Sequence, residues 1–473
     1  LSYTLPFKNV IDRFTLFVCD DCSRRCSVRV RGGLAPHLFA TSPTSVHGTP
    51  QKTYKQLIEE RIFIMLIQFP SSGVSGSPSH VPSSHSQDEP RSPYRNCFKT
   101  MGKNVAADLL RYGKSKSGVI SLAQGEGTLP TPSFICEAVT KSLSEGKTFY
   151  SAGAGLTELR EEIAAYHQRV YGTDISLNRI TVTSSGTNAV HLALLSILEE
   201  GDDVVAVTPI WKNLIGITEL AGGHIHEIPM ELQNGQWTLD LERLFAACTP
   251  KTRAIMIVSP NNPTGWVMGL DDIRKVMDFA RVRGLWVIAD EVYGRTTHHM
   301  ERAPSFLDVA YPEDRLYVVN SFSKTWAMTG WRLGWLIGPP DSEDKVRDLV
   351  LYENMGPPTF SQHAGIVALR EGEGFLVEQK KRWMENQELV RTSLVSLPKV
   401  ELAHTDSAFY AFFRVVGEED SFTLARTLID EAGVSLAPGG AFGKGFNDYL
   451  RLCFAASPEV VFEAMRRLEP FLR

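Results

Sequence analysis

From about Arg91 onward the chain alternates short runs of apolar and β-branched residues with segments of helical spacing, and this constrains its fold more than any other feature. Ile180–Thr183, Val204–Val207, Ala254–Val258, Leu285–Ala289 and Leu316–Val319 carry such residues at consecutive positions rather than at every second one. A strand written that way buries both faces, as it does when helices cover a mostly parallel sheet on either side. Between the runs, Asn188–Leu198 and Leu270–Ala280 have helical spacing, and Gly284 stands where the second helix should stop. The predicted class is α/β. Ligands of such sheets sit beyond the carboxyl ends of the strands, so the residues at those ends are the ones to read.

Composition narrows the class further. The 473 residues carry a formal net charge of −5, too balanced for a nucleic-acid surface or for charge-driven disorder. Seven cysteines are too sparse for a disulfide scaffold. No apolar run approaches the roughly 20 residues of a membrane helix. A cytoplasmic protein with neither a membrane nor a nucleic-acid partner is expected. Residues 1–90 lack the alternating texture; Ser71–Pro93 is rich in Ser and Pro and reads as a linker, and the whole leader is expected to be disordered. The first residue is Leu1, which would fit a reading frame extended upstream of a start at Met65 or Met101. Cys19, Cys22 and Cys26 could begin a zinc site completed by His37 or His47, but no second paired motif follows; chance cysteines are the plainer reading.

The strand ends share a chemistry. Ile180–Thr183 runs into Ser184-Ser185-Gly186-Thr187, either a capping turn or, with the following helix dipole, a phosphate cradle. Ala254–Val258 runs into Ser259-Pro260-Asn261-Asn262-Pro263-Thr264-Gly265, a rigid turn that presents an amide. Leu285–Ala289 delivers Asp290, with Tyr293 three residues on. A carboxylate after a buried strand needs a partner: an ordinary salt bridge or cap, or the protonated ring nitrogen of a ligand. Leu316–Val319 delivers Ser321-Phe322-Ser323-Lys324, with Gly330, Arg332 and Gly334 following. Desolvation there would lower the lysine's pKa and make it a usable nucleophile.

Ser321-x-Ser323-Lys324 with Arg332 eight residues on resembles the lysine motif of fold-type-I pyridoxal-phosphate aminotransferases of class I/II. Asn261-Asn262-Pro263-Thr264-Gly265 and Asp290-x-x-Tyr293 are similar to two further motifs of that family, in the same order; the likeness spans about residues 91–473. It implies pyridoxal 5'-phosphate as cofactor, carried by Lys324, which would also move the proton of the reacting carbon. Asp290 would keep the ring nitrogen protonated. Asn262 and Tyr293 would bond the phenolic oxygen, with the Asn262–Pro263 peptide expected to be cis. Ser185, Gly186, Thr187, Ser321 and Arg332 would hold the phosphate, the guanidinium by two hydrogen bonds. Trp211 matches the aromatic that stacks on the ring, though it would also serve as core. Arg451 matches the arginine that clamps a substrate α-carboxylate, and Gly125 the glycine whose backbone approaches it. Gly127 after Glu126 departs from the proline common in relatives, which leaves that loop's shape open.

The same resemblance implies a large cofactor-binding domain over about 134–346 and a small α/β domain joining 91–133 to 347–473. It implies a ping-pong exchange of an amino group between an L-amino acid and a 2-oxo acid. Another enzyme of the same fold, a lyase or decarboxylase, is the nearest alternative; a transcription regulator with an aminotransferase-like domain is a further one. Tyr150, in Tyr-x4-Gly155-x3-Leu159-Arg160, resembles the tyrosine that reaches a neighbouring subunit's cofactor phosphate, so a homodimer with shared sites is expected; the plainer reading packs it at the start of a helix. Arg295, His298 and His299 are candidates for a second substrate-binding cation by position, or a solvated loop.

Overall fold

The computed structural model describes residues 94–473 apart from 96, 102 and 103. The leader, the Ser/Pro-rich linker to 93 and the Cys19, Cys22 and Cys26 cluster with His37 and His47 lie outside the described residues.

Seven strands form the main sheet, in the order Ile180–Thr183, Gly334–Ile337, Leu316–Ser321, Trp286–Asp290, Thr252–Val258, Asp203–Thr208, His224–Pro229. All run parallel except Gly334–Ile337, which is antiparallel to both neighbours. Both faces are buried, as the consecutive apolar pattern requires. Val205, Val207, Ile255, Ile257, Val287 and Val318 join one core, while Val204, Ala206, Met256, Val258, Ile288 and Val319 join another on the opposite face. Each fully buried side chain of this size contributes about 1.5–3 kcal/mol.

Two strands of this sheet are not legible in the sequence. His224–Pro229 is an edge whose outer positions are polar and half-open, and Gly334–Ile337 is short and follows a glycine-rich turn. The glycine at the start of the latter has a steric cause. A Cβ on Gly334 would lie 2.6 Å from the Gly186 nitrogen and 2.7 Å from the Ser185 carbonyl carbon, so only glycine lets this strand pass behind that turn.

The helices follow their sequence signals. Leu270–Arg283 buries Ile273, Val276, Met277 and Ala280 on one stripe, places Asp271 and Asp272 in its first turn and Arg281 and Arg283 in its last, and ends at Gly284 with φ 64°. Gly186–Ile197 starts directly at the Ser185 turn, where the Ser185 side chain accepts from the Asn188 N–H at 3.1 Å.

A second, antiparallel sheet orders Val400–Leu402, Tyr410–Val415, Tyr449–Cys453 and Ala437–Pro438. It packs with Glu373–Val395 and Pro458–Leu472 around its own core. Ile120–Ser121 pairs in parallel with Val434–Ser435, which ties the start of the described chain to its last third.

Candidate active site

The carboxyl ends of the parallel strands open on a cavity of about 600 Å³. Ser185, Gly186 and Thr187 line it from the end of Ile180–Thr183, and Trp211 from the turn after Asp203–Thr208. Asn262 enters from the turn after Thr252–Val258, Asp290 and Tyr293 from the end of Trp286–Asp290, and Ser321, Lys324 and Arg332 from the segment after Leu316–Ser321. Arg451, on the antiparallel sheet, and Gly125, in the loop after Ile120–Ser121, close the other side. Every residue the resemblance assigns to the cofactor or the substrate carboxylate, except Tyr150, therefore meets in one cavity of one chain. Tyr150 is 81% exposed and lines no part of it.

The lysine is poised rather than paired. Lys324 Nζ donates to the Gly125 carbonyl at 2.6 Å, and burial pulls its pKa down to about 8. The opposite effect falls on Asp290. Burial pushes its carboxyl up to about 6, and among the described residues its one side-chain hydrogen bond is from the Val292 N–H at 3.2 Å. Its neighbour Glu291 is buried as well but fully used: it accepts from Ser305 Oγ at 2.7 Å and from the Phe306 N–H at 2.8 Å.

Arg451 donates to Asn262 Oδ1 at 2.8 Å and to the Ala123 carbonyl at 2.5 Å, and its buried Nε has no partner among the described residues. Asn262 Nδ2 reaches the Tyr293 hydroxyl at 3.5 Å. Arg332, in a left-handed backbone conformation at φ 54°, donates to the Thr329 carbonyl at 2.7 Å. Among the described residues no carboxylate forms an ion pair with Lys324, Arg332 or Arg451. Glu126 also lines the cavity, but it is engaged by Thr329 Oγ1 and by Gln124 Nε2.

Two expectations are corrected. The Asn262–Pro263 peptide is not cis; the cis bonds among the described residues are Thr208–Pro209 and Ser259–Pro260. The reversal at this turn is held instead by Asn261, whose Oδ1 accepts from the Thr264 N–H at 3.1 Å and whose carbonyl accepts from the Gly265 N–H at 2.9 Å. Nor do Arg295 and His298 form a solvated loop or face the cavity. Arg295 is buried against Glu373 at 2.5 Å and the Tyr166 hydroxyl at 3.3 Å, and the His298 ring nitrogens lie 3.0 and 2.8 Å from the Thr405 and Ala408 carbonyls. The desolvation cost of burying them is met by those partners, which commits both to structure. His299 is exposed.

One residue of the cavity carried no usable signal. Tyr410, in Phe409-Tyr410-Ala411-Phe412-Phe413, reads as one more aromatic in a core strand, yet its hydroxyl lies 2.7 Å from that of Tyr293.

The family model for aminotransferase class I and II matches residues 117–468. An aspartate aminotransferase of Pyrococcus horikoshii is 32% identical over 368 residues, covering 77% of this chain and 93% of that relative. The aromatic-amino-acid aminotransferase 2 of Thermococcus litoralis is 33% identical over 362 residues, 75% of this chain and 92% of the relative. The crystal structure of aspartate aminotransferase from Thermotoga maritima superposes with a TM-score of 0.75 at 32% identity, over 80% of this chain and all of that one. The chain belongs to the class I and II aminotransferases. It is an enzyme of transamination on the fold-type-I α/β scaffold.

Proposed function

We propose that the enzyme uses pyridoxal 5'-phosphate to move an amino group from an L-amino acid to a 2-oxo acid by a ping-pong exchange at this cavity. One observation carries the reading: among the described residues, three cations without carboxylate partners, Lys324, Arg332 and Arg451, share the cavity with one buried carboxylate, Asp290, that forms no ion pair. Buried charge, as at Asp290 and Arg451, is costly unless a ligand completes it, and with the half-buried Lys324 and the exposed Arg332 at the rim the set is complementary to a phosphate, a carboxylate and a protonated ring nitrogen.

The residues fit the cofactor. Ser185, Gly186 and Thr187 begin a helix and so offer N–H groups and the positive end of a dipole; with Ser321 and Arg332 they would hold its phosphate. Asp290 would hold the ring nitrogen, Asn262 and Tyr293 the phenolic oxygen, Trp211 the ring face, and Lys324 the aldehyde. The cofactor supplies an aldehyde that takes up the amino group and a conjugated ring that accepts electrons from the reacting carbon. The protein does the rest. Arg451 clamps the substrate α-carboxylate and Gly125 lets the backbone come close to it. That orientation exposes the Cα–H bond to Lys324. With a pKa near 8 the amine is partly unprotonated around neutral pH, so Nζ can take that proton and return it.

A homodimer with shared sites belongs to the same proposal. Phe149 and Tyr150 are adjacent aromatics, 82% and 81% exposed in the single chain, which suits a segment that completes a partner's phosphate site. We also propose the division into a large domain at 134–346 and a small domain from 91–133 and 347–473, with a cytoplasmic location. A chain beginning near Arg91 should keep its turnover number.

The test is a screen of amino donors against 2-oxoglutarate with the pyridoxal-phosphate-loaded enzyme, following the oxo-acid product. Aspartate and aromatic donors come first because relatives bear those names. Product from one of the donors with matching glutamate supports the reading. Carbon dioxide or ammonia released without glutamate would move it to a decarboxylase or lyase.

A further inference from the structure

Tyr410 touches both halves of the cavity. Its hydroxyl lies 2.7 Å from the Tyr293 hydroxyl, and its ring lies beneath the Arg451 guanidinium at 4.5 Å. It also explains a glycine: a Cβ at Gly125 would overlap the Tyr410 hydroxyl, and Gly125 is the residue whose carbonyl receives the Lys324 amine. We propose that Tyr410 is a positioning residue for transamination: its hydroxyl orients Tyr293 and tunes the acidity of the cofactor's phenolic oxygen, while its ring seats Arg451 for the substrate carboxylate. This rests on the function proposed above, in which Tyr293 meets that oxygen.

The chemistry follows from proton counting. Burial raises the pKa of both phenols, so each keeps its single proton. If Tyr293 donates into the cavity, its oxygen is free to accept, and Tyr410 at 2.7 Å is the nearer of its two donors, Asn262 Nδ2 standing at 3.5 Å. A hydroxyl that accepts one hydrogen bond donates a stronger one. Tyr410 thereby strengthens Tyr293 as a partner for a developing phenolate. Arg451 uses a different part of the same residue. Its guanidinium lies over the rings of Tyr410 and Phe442, at 4.5 and 4.9 Å, whose π faces attract a cation without neutralising it. The charge stays available to an incoming carboxylate.

The two roles separate by substitution. Tyr410→Phe keeps the ring and drops the hydroxyl; Tyr410→Leu drops both. In the full-length enzyme loaded with pyridoxal phosphate, the near-visible absorption is titrated against pH. Tyr410→Phe should move its midpoint up by roughly half to one pH unit, the net worth of one hydrogen bond expressed as a pKa, and leave KM for the amino acid unchanged. Tyr410→Leu should move the midpoint as far and also raise KM roughly threefold to tenfold. In the cofactor-free protein, Gly125→Ala should lower Tm, and Tyr410→Phe added to it should restore most of the loss by clearing the overlap. An unmoved midpoint in Tyr410→Phe overturns the proposal, as does a KM raised equally by both variants or a double variant with no recovery. A wild-type protein without the absorption band rejects the cofactor reading itself, whereas a band whose midpoint ignores Tyr410→Phe rejects only the role of Tyr410.

Discussion

The cavity has two walls built on opposite principles. One is the carboxyl edge of a parallel sheet, where each strand hands over a polar residue as its backbone leaves the sheet: Ser185, Asn262, Asp290, Lys324. The other is part of an antiparallel sheet, where Tyr410 and Arg451 sit inside strands that are otherwise core. The first wall takes its geometry from topology, because parallel strands end on one side. The second takes it from individual side chains that reach out of an apolar layer and meet across it. Charge follows the same division. On the first wall Asp290 is a nearly bare anion, while on the second Arg451 is held in place by Asn262, Ala123 and two rings.

The largest effect that sharpens this comparison is expected on the first wall. Lys324→Ala should cut turnover by about 10²–10⁴-fold or more, the span of a positioned acid–base group, while cofactor still binds through its phosphate contacts; steady-state kinetics and equilibrium dialysis check the two halves. Retained turnover would break the assignment.

Asp290 comes next, and its effect has a sign opposite to the usual carboxylate. Its pKa in the folded, cofactor-free protein is about 6, above the ordinary 3.8, so the folded state holds a proton that the unfolded chain releases. Its contribution is full below about pH 4, falls as pH rises towards 6 and is flat beyond. Over about two pKa units this is about 3 kcal/mol. Asp290→Asn should remove that loss. Urea unfolding of the cofactor-free variant and parent at pH 4 and pH 7 should show the variant gaining up to about 3 kcal/mol relative to the parent at the higher pH, while its transamination falls. A gain equal at both pH values would mean Asp290 is not the titrating group. Glu291, raised to about 8 by its own burial, titrates in both proteins and cancels in the difference.

On the second wall Arg451→Ala should raise KM for the amino acid by roughly 10- to 100-fold, the worth of a charge-assisted hydrogen bond at about 1.4 kcal/mol per decade. The absorption of bound cofactor should stay close to that of the parent. A changed spectrum with unchanged KM would place Arg451 on the cofactor side and dissolve the distinction between the walls.

The difference between the walls also explains what was legible. Strand ends on the parallel sheet could be read because the apolar run stops where the chemistry starts, as Ala289 gives way to Asp290 and Val319 to Asn320-Ser321. The sheet's class was legible for the same reason, while the polar edge His224–Pro229 gave no such run and the return strand Gly334–Ile337 gave only the three residues Trp335-Leu336-Ile337 between glycines. Arg451 stood out only through resemblance and as an arginine inside a strand. Tyr410 did not stand out, since a tyrosine among Phe409, Phe412 and Phe413 satisfies the core pattern whether or not its hydroxyl has work to do. Arg295 and His298 failed the other way: polar residues after a site motif look like loop until their partners, Glu373, Thr405 and Ala408, are brought in from distant sequence.

The smallest expected effect concerns Tyr150, which belongs to neither wall of its own chain. Tyr150→Phe should weaken cofactor binding about tenfold, as loss of one hydroxyl donor to a charged acceptor would. Mixing it with Lys324→Ala in one dimer should restore one site of parent affinity, because a residue that serves the partner puts both changes in the same site. If only weakened sites appear, Tyr150 serves its own subunit; if sedimentation shows an active monomer, the shared site falls.

Lys324 is expected to carry the cofactor. The direct measurement is borohydride reduction of the loaded, full-length enzyme followed by peptide mapping. The near-visible band should disappear on reduction, with the cofactor fixed to a single peptide containing Ser321-Phe322-Ser323-Lys324. A label found on any peptide that lacks Lys324 would contradict the account.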